Sequence, residues 1–131
     1  MERTFAIIKP DAFASRKQGH IINRILLEKF YIKEMRQITM TEDQVDNFYE
    51  EHKDKPFFNG LKSYMTSGPC IVLELERDNA VMHWRETIGA TNPKEAKNGT
   101  IRKMYGLNLD NNAVHGSDSV ESAEKEIGFF F

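Results

Sequence analysis

The chain is predicted to be an α+β protein, a four-stranded antiparallel sheet with helices packed on it in the ferredoxin-like arrangement. Three observations predict this: short strand-like runs at residues 4–8 and 71–76, an amphipathic helical stripe after each of them, and the order β-α-β, helical matter, β-α-β along 131 residues. The helices are expected on one face of the sheet, and the pattern alone leaves other α+β layouts open.

Thr4-Phe5-Ala6-Ile7-Ile8 is rich in β-formers and is stopped by Pro10, so it reads as a buried strand with Lys9 at its end. Between residues 20 and 30, Ile21, Ile22, Ile25 and Leu26 fall on one helical stripe. Residues 30–40 alternate weakly and read as a second strand. Thr41 and Gln44 form a capping box, and Val45, Phe48, Tyr49 and His52 follow at helical spacing. Ile71, Leu73 and Leu75 alternate with Val72, Glu74 and Glu76, a strand with one face more polar near its end. Asp78 is the expected cap of a helix whose stripe is Val81, Trp84 and Ile88. Residues 89–112 lack periodicity, and an irregular stretch of that length in a short chain reads as a functional loop. Residues 112–115 fit a terminal strand. Ser119 then caps a last helix with Val120, Ala123 and Ile127 on one face.

Composition limits what such a chain does. With 131 residues and 40% apolar content it is expected to form one domain, residues 1–131, around one core. Eighteen basic and 20 acidic side chains leave a formal charge of −2, without the basic excess of sequence-independent nucleic-acid binders, so no nucleic-acid partner is expected. No apolar run approaches the roughly 20 residues of a membrane span, and Glu2 and Arg3 interrupt any signal-peptide pattern, so a soluble, cytoplasmic chain is expected. Cys70 is the only cysteine, which excludes an intrachain disulfide and reads as a small core residue.

Several phosphate and metal motifs are absent: the glycines do not form G-x-G-x-x-G or a P-loop, and His20, His52, His83 and His115 are too scattered for a zincin pair. One histidine stands out. Asn112-Ala113-Val114-His115-Gly116-Ser117-Asp118-Ser119 puts an imidazole at the end of an apolar run, beside Gly116, which would leave room for an incoming group. Glu126 lies 11 residues on, along a helix that must fold back from the turn. A carboxylate on one ring nitrogen fixes the tautomer and frees the other lone pair, which makes a nucleophile able to accept a phosphoryl group. Spacing alone nevertheless favours an ordinary turn histidine.

The octet 112–119 resembles the active-site signature of the nucleoside diphosphate kinases, and the resemblance extends along the chain. It includes Arg3-Thr4-Phe5, Ile8-Lys9-Pro10-Asp11, Lys53-Asp54-Lys55-Pro56-Phe57-Phe58, Ser67-Gly68-Pro69, Gly89-Ala90-Thr91-Asn92-Pro93, Gly99-Thr100-Ile101-Arg102 and Ser122-Ala123-Glu124-Lys125-Glu126-Ile127. Individually several of these are weak. Their shared order and spacing are specific.

The resemblance implies transfer of the γ-phosphate of a nucleoside triphosphate, mainly ATP, to nucleoside diphosphates through a phosphohistidine on Nδ1 of His115, in a ping-pong cycle. Glu126 and Ser117 would orient the ring. Lys9, Arg85 and Arg102 match the family's phosphate-binding cations, and Tyr49 and Thr91 its hydroxyl donors. Asn112 and Lys9 match its contacts to the sugar. Phe57 matches the ring that stacks on the base, flanked by Leu61 and Leu109, and stacking reads any base, so broad specificity is implied. Mg²⁺ is implied as an ion that arrives with the nucleotide, with no protein ligand assigned. A homo-oligomer, tetramer or hexamer built from dimers, is also implied. Several departures bear on these expectations: Lys29 stands where the family usually has Gly at a helix end, Asp110 adds a negative charge near the phosphate site, and Asn98, Lys103-Met104-Tyr105 and Asp110-Asn111 alter the loop that family members often use in the higher assembly. Two competing functions use the same residues, a silent module stacking nucleic acid on Phe57 and a hydrolase passing the phosphoryl group to water.

Overall fold

Arg3 to Ile8 is dominated by β-branched and aromatic side chains and forms a strand, which Pro10 ends because it has no N–H for the ladder. The computed structural model describes residues 1–131. In chain order the elements are β1 (Glu2–Ile8), α1 (Pro10–Ala14), α2 (Gln18–Leu27), β2 (Tyr31–Ile38), α3 (Glu42–Phe48), a 3₁₀ turn at Glu50–His52, α4 (Phe58–Met65), β3 (Cys70–Arg77), α5 (Ala80–Ile88), α6 (Ile101–Tyr105), β4 (Val114–Gly116) and α7 (Val120–Phe130). The sheet order is β2-β3-β1-β4 with every neighbouring pair antiparallel, so the expected α+β sheet is the observed one.

Helices cover both faces of this sheet, which corrects the expectation of one. The two-residue period of a strand sends Ala6 and Ile8 of β1, with Leu73 and Leu75 of β3, against Ile21 and Ile25 of α2 and Trp84 and Ile88 of α5. Phe5 and Ile7, with Cys70 and Val72, face Val45 of α3, Phe58 and Met65 of α4 and Ile127 of α7. With helices on both sides of the sheet, Thr4 to Ile8 of β1 are buried on either face. Even Glu74, which made β3 look half polar, is buried, its carboxylate 2.8 Å from the guanidinium of Arg3.

Local signals held where the partners are close in sequence. The Thr41–Gln44 box forms in both directions, at 2.9 and 3.1 Å, and the Ser119 hydroxyl accepts the N–H of Ser122. The stripe after Thr41 ends at Phe48, and the tighter 3₁₀ turn carries His52 off it. Asp78 does not cap α5. Asn79 precedes the helix at φ 57°, and the free N–H of Val81 is taken by the Glu2 carboxylate at 2.9 Å. Val120 is exposed, leaving Ala123 and Ile127 as the buried face of α7. The irregular segment 89–112 contains α6, whose start is held by the Thr100 hydroxyl. Lys29 does adopt the left-handed conformation, φ 68°, that favours glycine. No helix is long and apolar enough to cross a membrane.

Candidate active site

Strand register places the histidine. β4 pairs with β1 so that His115 lies opposite Ile7 and Gly116 opposite Ala6. The pleat therefore turns His115 toward α3 and α7 and Gly116 toward α5. The imidazole lies edge-on to Phe48 and Phe5, centroids 5.6 and 6.0 Å away, and its Nε2 is 2.9 Å from Oε1 of Glu126 on α7. The Ser117 hydroxyl donates to the same oxygen at 2.8 Å. An ionised carboxylate only accepts, so the hydrogen-bond network assigns the ring proton to Nε2 and leaves a lone pair on Nδ1.

Gly116 serves a different purpose from the one its sequence position suggested. A Cβ there would come within 2.8 Å of Cδ1 of Trp84, so the missing side chain makes room for the buried indole. The indole N–H in turn donates to the carbonyl of His115 at 3.2 Å, which ties the strand from behind.

Three cations converge from three elements. Lys9, at the N-terminus of α1, is buried and donates from Nζ to Oδ1 of Asn112 at 3.0 Å. Burial, reinforced by Arg102, pulls its ammonium down to about 8, against a partial restoring pull from Asp11 and Asp110. Arg102 of α6 donates to the carbonyls of Gly89 and Val114 at 3.0 and 2.9 Å, and burial together with Arg85 lowers it to about 10. Its Nε, like the hydroxyl of Tyr49, is enclosed without a hydrogen-bond partner. Arg85 of α5 meets Asp118 at 2.6 Å on the rim.

Two adjoining cavities form one cleft. The first, about 340 Å³, is lined by His115, Glu126, Tyr49, Arg85, Arg102 and Thr91 among others. The second, about 760 Å³, holds Lys9, Asn112, Phe57, Leu61 and Leu109, and shares Tyr49, His52 and Thr91 with the first. Every site residue expected from the sequence lines this cleft except Ser117, which is fully buried and reaches the ring only through Glu126. Asp110 also lines the second cavity, next to Asn108 and Asn111. Sequence reading gave no site role to Glu51, His52 and Asp118, which also line the first cavity, or to Tyr64, which lines the second and pairs with Asp11. Charged side chains in an acidic helix or loop carry no local mark of facing a cleft.

Fold and cleft together describe a class: an α+β protein whose cleft gathers Arg85 and Arg102 beside a histidine and carries Lys9 and an aromatic ring, Phe57, in its adjoining part. Comparison with known proteins narrows it. The model of the nucleoside diphosphate kinase family matches residues 2–131. Nucleoside diphosphate kinases of Syntrophotalea carbinolica and Nitratiruptor sp. are 52% and 53% identical over 131 residues, which is 100% of this chain and 96% of each relative. Among solved structures, the Aquifex aeolicus enzyme superposes with a TM-score of 0.97 at 40% identity, over 99% of this chain and 94% of the other. A Halobacterium salinarum nucleoside diphosphate kinase, solved in complex with CDP, gives 0.96 at 38% identity, over 99% and 87%. The chain belongs to the nucleoside diphosphate kinase family, and it is a kinase that transfers the γ-phosphate of a nucleoside triphosphate to a nucleoside diphosphate.

Proposed function

We propose that residues 1–131 work as one domain in which Nδ1 of His115 carries the phosphoryl group between two nucleotides. The Nδ1 lone pair forms a bond to the γ-phosphorus as the bond to the bridging oxygen breaks, and the nucleoside diphosphate leaves with that electron pair. A terminal oxygen of a second nucleoside diphosphate then attacks the phosphorus, the P–N bond breaks, and the lone pair returns to Nδ1. The observation that carries this reading is the ring held at Nε2 by Glu126, 2.9 Å away, and bare at Nδ1 inside a cationic cleft.

The other roles follow from position. Arg85, Arg102 and Lys9 balance the charge of the transferring group, and Tyr49 and Thr91 donate hydroxyls to it. Lys9 and Asn112 hold the sugar hydroxyls. Phe57, half exposed at the mouth, stacks on the base between Leu61 and Leu109, which supports broad base specificity. Asp110 keeps part of the charge on Lys9 when the cleft is empty. Mg²⁺ bound with the nucleotide supplies neutralisation of the β- and γ-phosphates. The Glu51 and Asp118 carboxylates line the cleft, where they would meet the water shell of an ion held by phosphate oxygens.

The test is incubation with γ-labelled ATP, followed by a nucleoside diphosphate. Acid-labile, base-stable label on the protein, absent from His115→Ala and returned as triphosphate on the chase, is the expected result. Label on His115→Ala would refute the assignment, and release as inorganic phosphate would mark a hydrolase.

We also propose a cytoplasmic homo-oligomer of four or six copies built from dimers. β2 is a sheet edge, and Leu26, Leu27, Tyr31 and Met35 are all more than half exposed on or beside it, so one side of the strand is left unpaired in apolar company. Light scattering on the intact chain reads the mass. Cys70 is buried in the core, and burial pushes its thiol up to about 11.

A further inference from the structure

Ala113 has a left-handed backbone, φ 75°, without being glycine. The N–H of Val114 reaches back to the carbonyl of Asn112 at 2.9 Å, a three-residue γ-turn centred on Ala113. Such turns are strained and persist only when their surroundings over-determine them. Here the residues on either side of the strained one are Asn112, hydrogen-bonded to Lys9, and Val114, the first residue of the strand that carries His115. A relaxation of this turn would displace both ends of the site together.

Two side chains distant in sequence grip the turn. Oδ2 of Asp11, in the first turn of α1, accepts the Ala113 N–H at 3.1 Å. Oδ1 of the same carboxylate accepts a hydrogen bond from the Tyr64 hydroxyl, whose oxygen also receives the Asp11 N–H at 3.4 Å. On the other side of the peptide the Lys9 N–H donates to the Ala113 carbonyl at 2.8 Å. Tyr64 belongs to α4, the helix that also carries Leu61 of the base end. A chain of hydrogen bonds thus runs from α4 through Asp11 to the turn before the histidine.

We propose that Asp11 and Tyr64 are positioning residues for phosphoryl transfer: their hydrogen bonds hold Ala113 in its left-handed turn and so set His115 and the Lys9–Asn112 pair in mutual register. The proposal rests on the reading of His115 as the phosphoryl carrier. Neither side chain needs to meet the transferring group. Asp11 acts through the Ala113 amide, and Tyr64 acts through Asp11 by fixing which way its carboxylate faces.

Tyr64→Phe removes one hydroxyl and keeps the ring, so it is the mildest break in the chain. Its single-turnover rate of protein phosphorylation at saturating γ-labelled ATP should fall about tenfold or more, the lower end of the scale of one charge-assisted hydrogen bond. Asp11→Asn should fall at least as far. Glycine adopts positive φ without penalty, so Ala113→Gly in the Tyr64→Phe background should restore a large part of the rate. A role confined to docking α4 would lower thermal stability and leave Ala113→Gly without effect on the rate. Unchanged phosphorylation by Tyr64→Phe, or a loss that Ala113→Gly does not relieve, would overturn the proposal. A wild-type chain that forms no phosphoenzyme would instead overturn the reading of His115, and the positioning role with it.

Discussion

Replacing Glu126 by Gln changes one atom and two properties of the site. Oε1 of Glu126 accepts from both Nε2 of His115, at 2.9 Å, and Oγ of Ser117, at 2.8 Å, and both side chains of the His115–Glu126 pair are only 20% exposed. As Nδ1 takes the phosphoryl group the ring gains positive charge, and the carboxylate then offers a charge-assisted hydrogen bond of about 1.5–3 kcal/mol where a neutral amide offers about 0.5–1.5. The difference, about 1–2 kcal/mol, corresponds to a roughly 5- to 30-fold slower phosphorylation step. An amide can also present its NH₂ to the ring, which stabilises the tautomer protonated on Nδ1 and slows the step further. The assay is rapid-quench phosphorylation by γ-labelled ATP at saturation, alongside a nucleotide affinity measured on the same protein. Trp84 is the only tryptophan and donates to the His115 carbonyl, so its fluorescence offers an independent readout of the same event. A rate within twofold of wild type, or a loss confined to affinity, would refute the argument that the carboxylate supports the charged ring.

Three other outcomes follow from the geometry. Nucleotide affinity should decline as pH rises above about 8, because buried Lys9 is pulled from 10.5 to about 8 and loses the charge that meets the polyanion; a titration flat from pH 7 to 10 would contradict this. For the unliganded fold the sign is opposite: the unfolded chain binds more protons between about 8 and 10.5, so Lys9 destabilises the fold below about 8 and that cost is relieved as pH climbs. Gly116→Ala should be destabilising by about 1–3 kcal/mol, since its Cβ would lie 2.8 Å from Trp84; an unchanged denaturation midpoint would show that the indole shifts freely. Lys29→Gly should stabilise the chain by about 0.5–1 kcal/mol by relieving φ 68°, read as a higher thermal midpoint with unchanged activity.

What the sequence by itself determined was whatever depends on neighbours a few residues apart. The Thr41–Gln44 box, the Ser119 cap, the β-forming runs and the octet around His115 all mark themselves within a turn or a strand, because backbone hydrogen bonding and side-chain period are short-range. Even the misfit of Lys29 was visible, since a helix end asks for a left-handed residue at a fixed place. The cleft was legible through its resemblance to a family of known order and spacing, and the residues named from that resemblance line it, apart from the fully buried Ser117.

Only the tertiary structure decided which partners meet across the chain. The helix cap that Asp78 was expected to give comes from Glu2, brought alongside α5 by the sheet. Gly116 faces Trp84 because strand pairing, not sequence distance, sets the pleat on which each side chain stands. The run 4–8 marks itself as a buried strand, but which helices close on its two faces is set by the packing of distant segments. Asp11 grips Ala113 although 102 positions separate them, and Tyr64 reaches Asp11 across 53. Contacts of that separation are closed by the collapse of the whole core, so their hydrogen bonds leave no pattern in the residues around them.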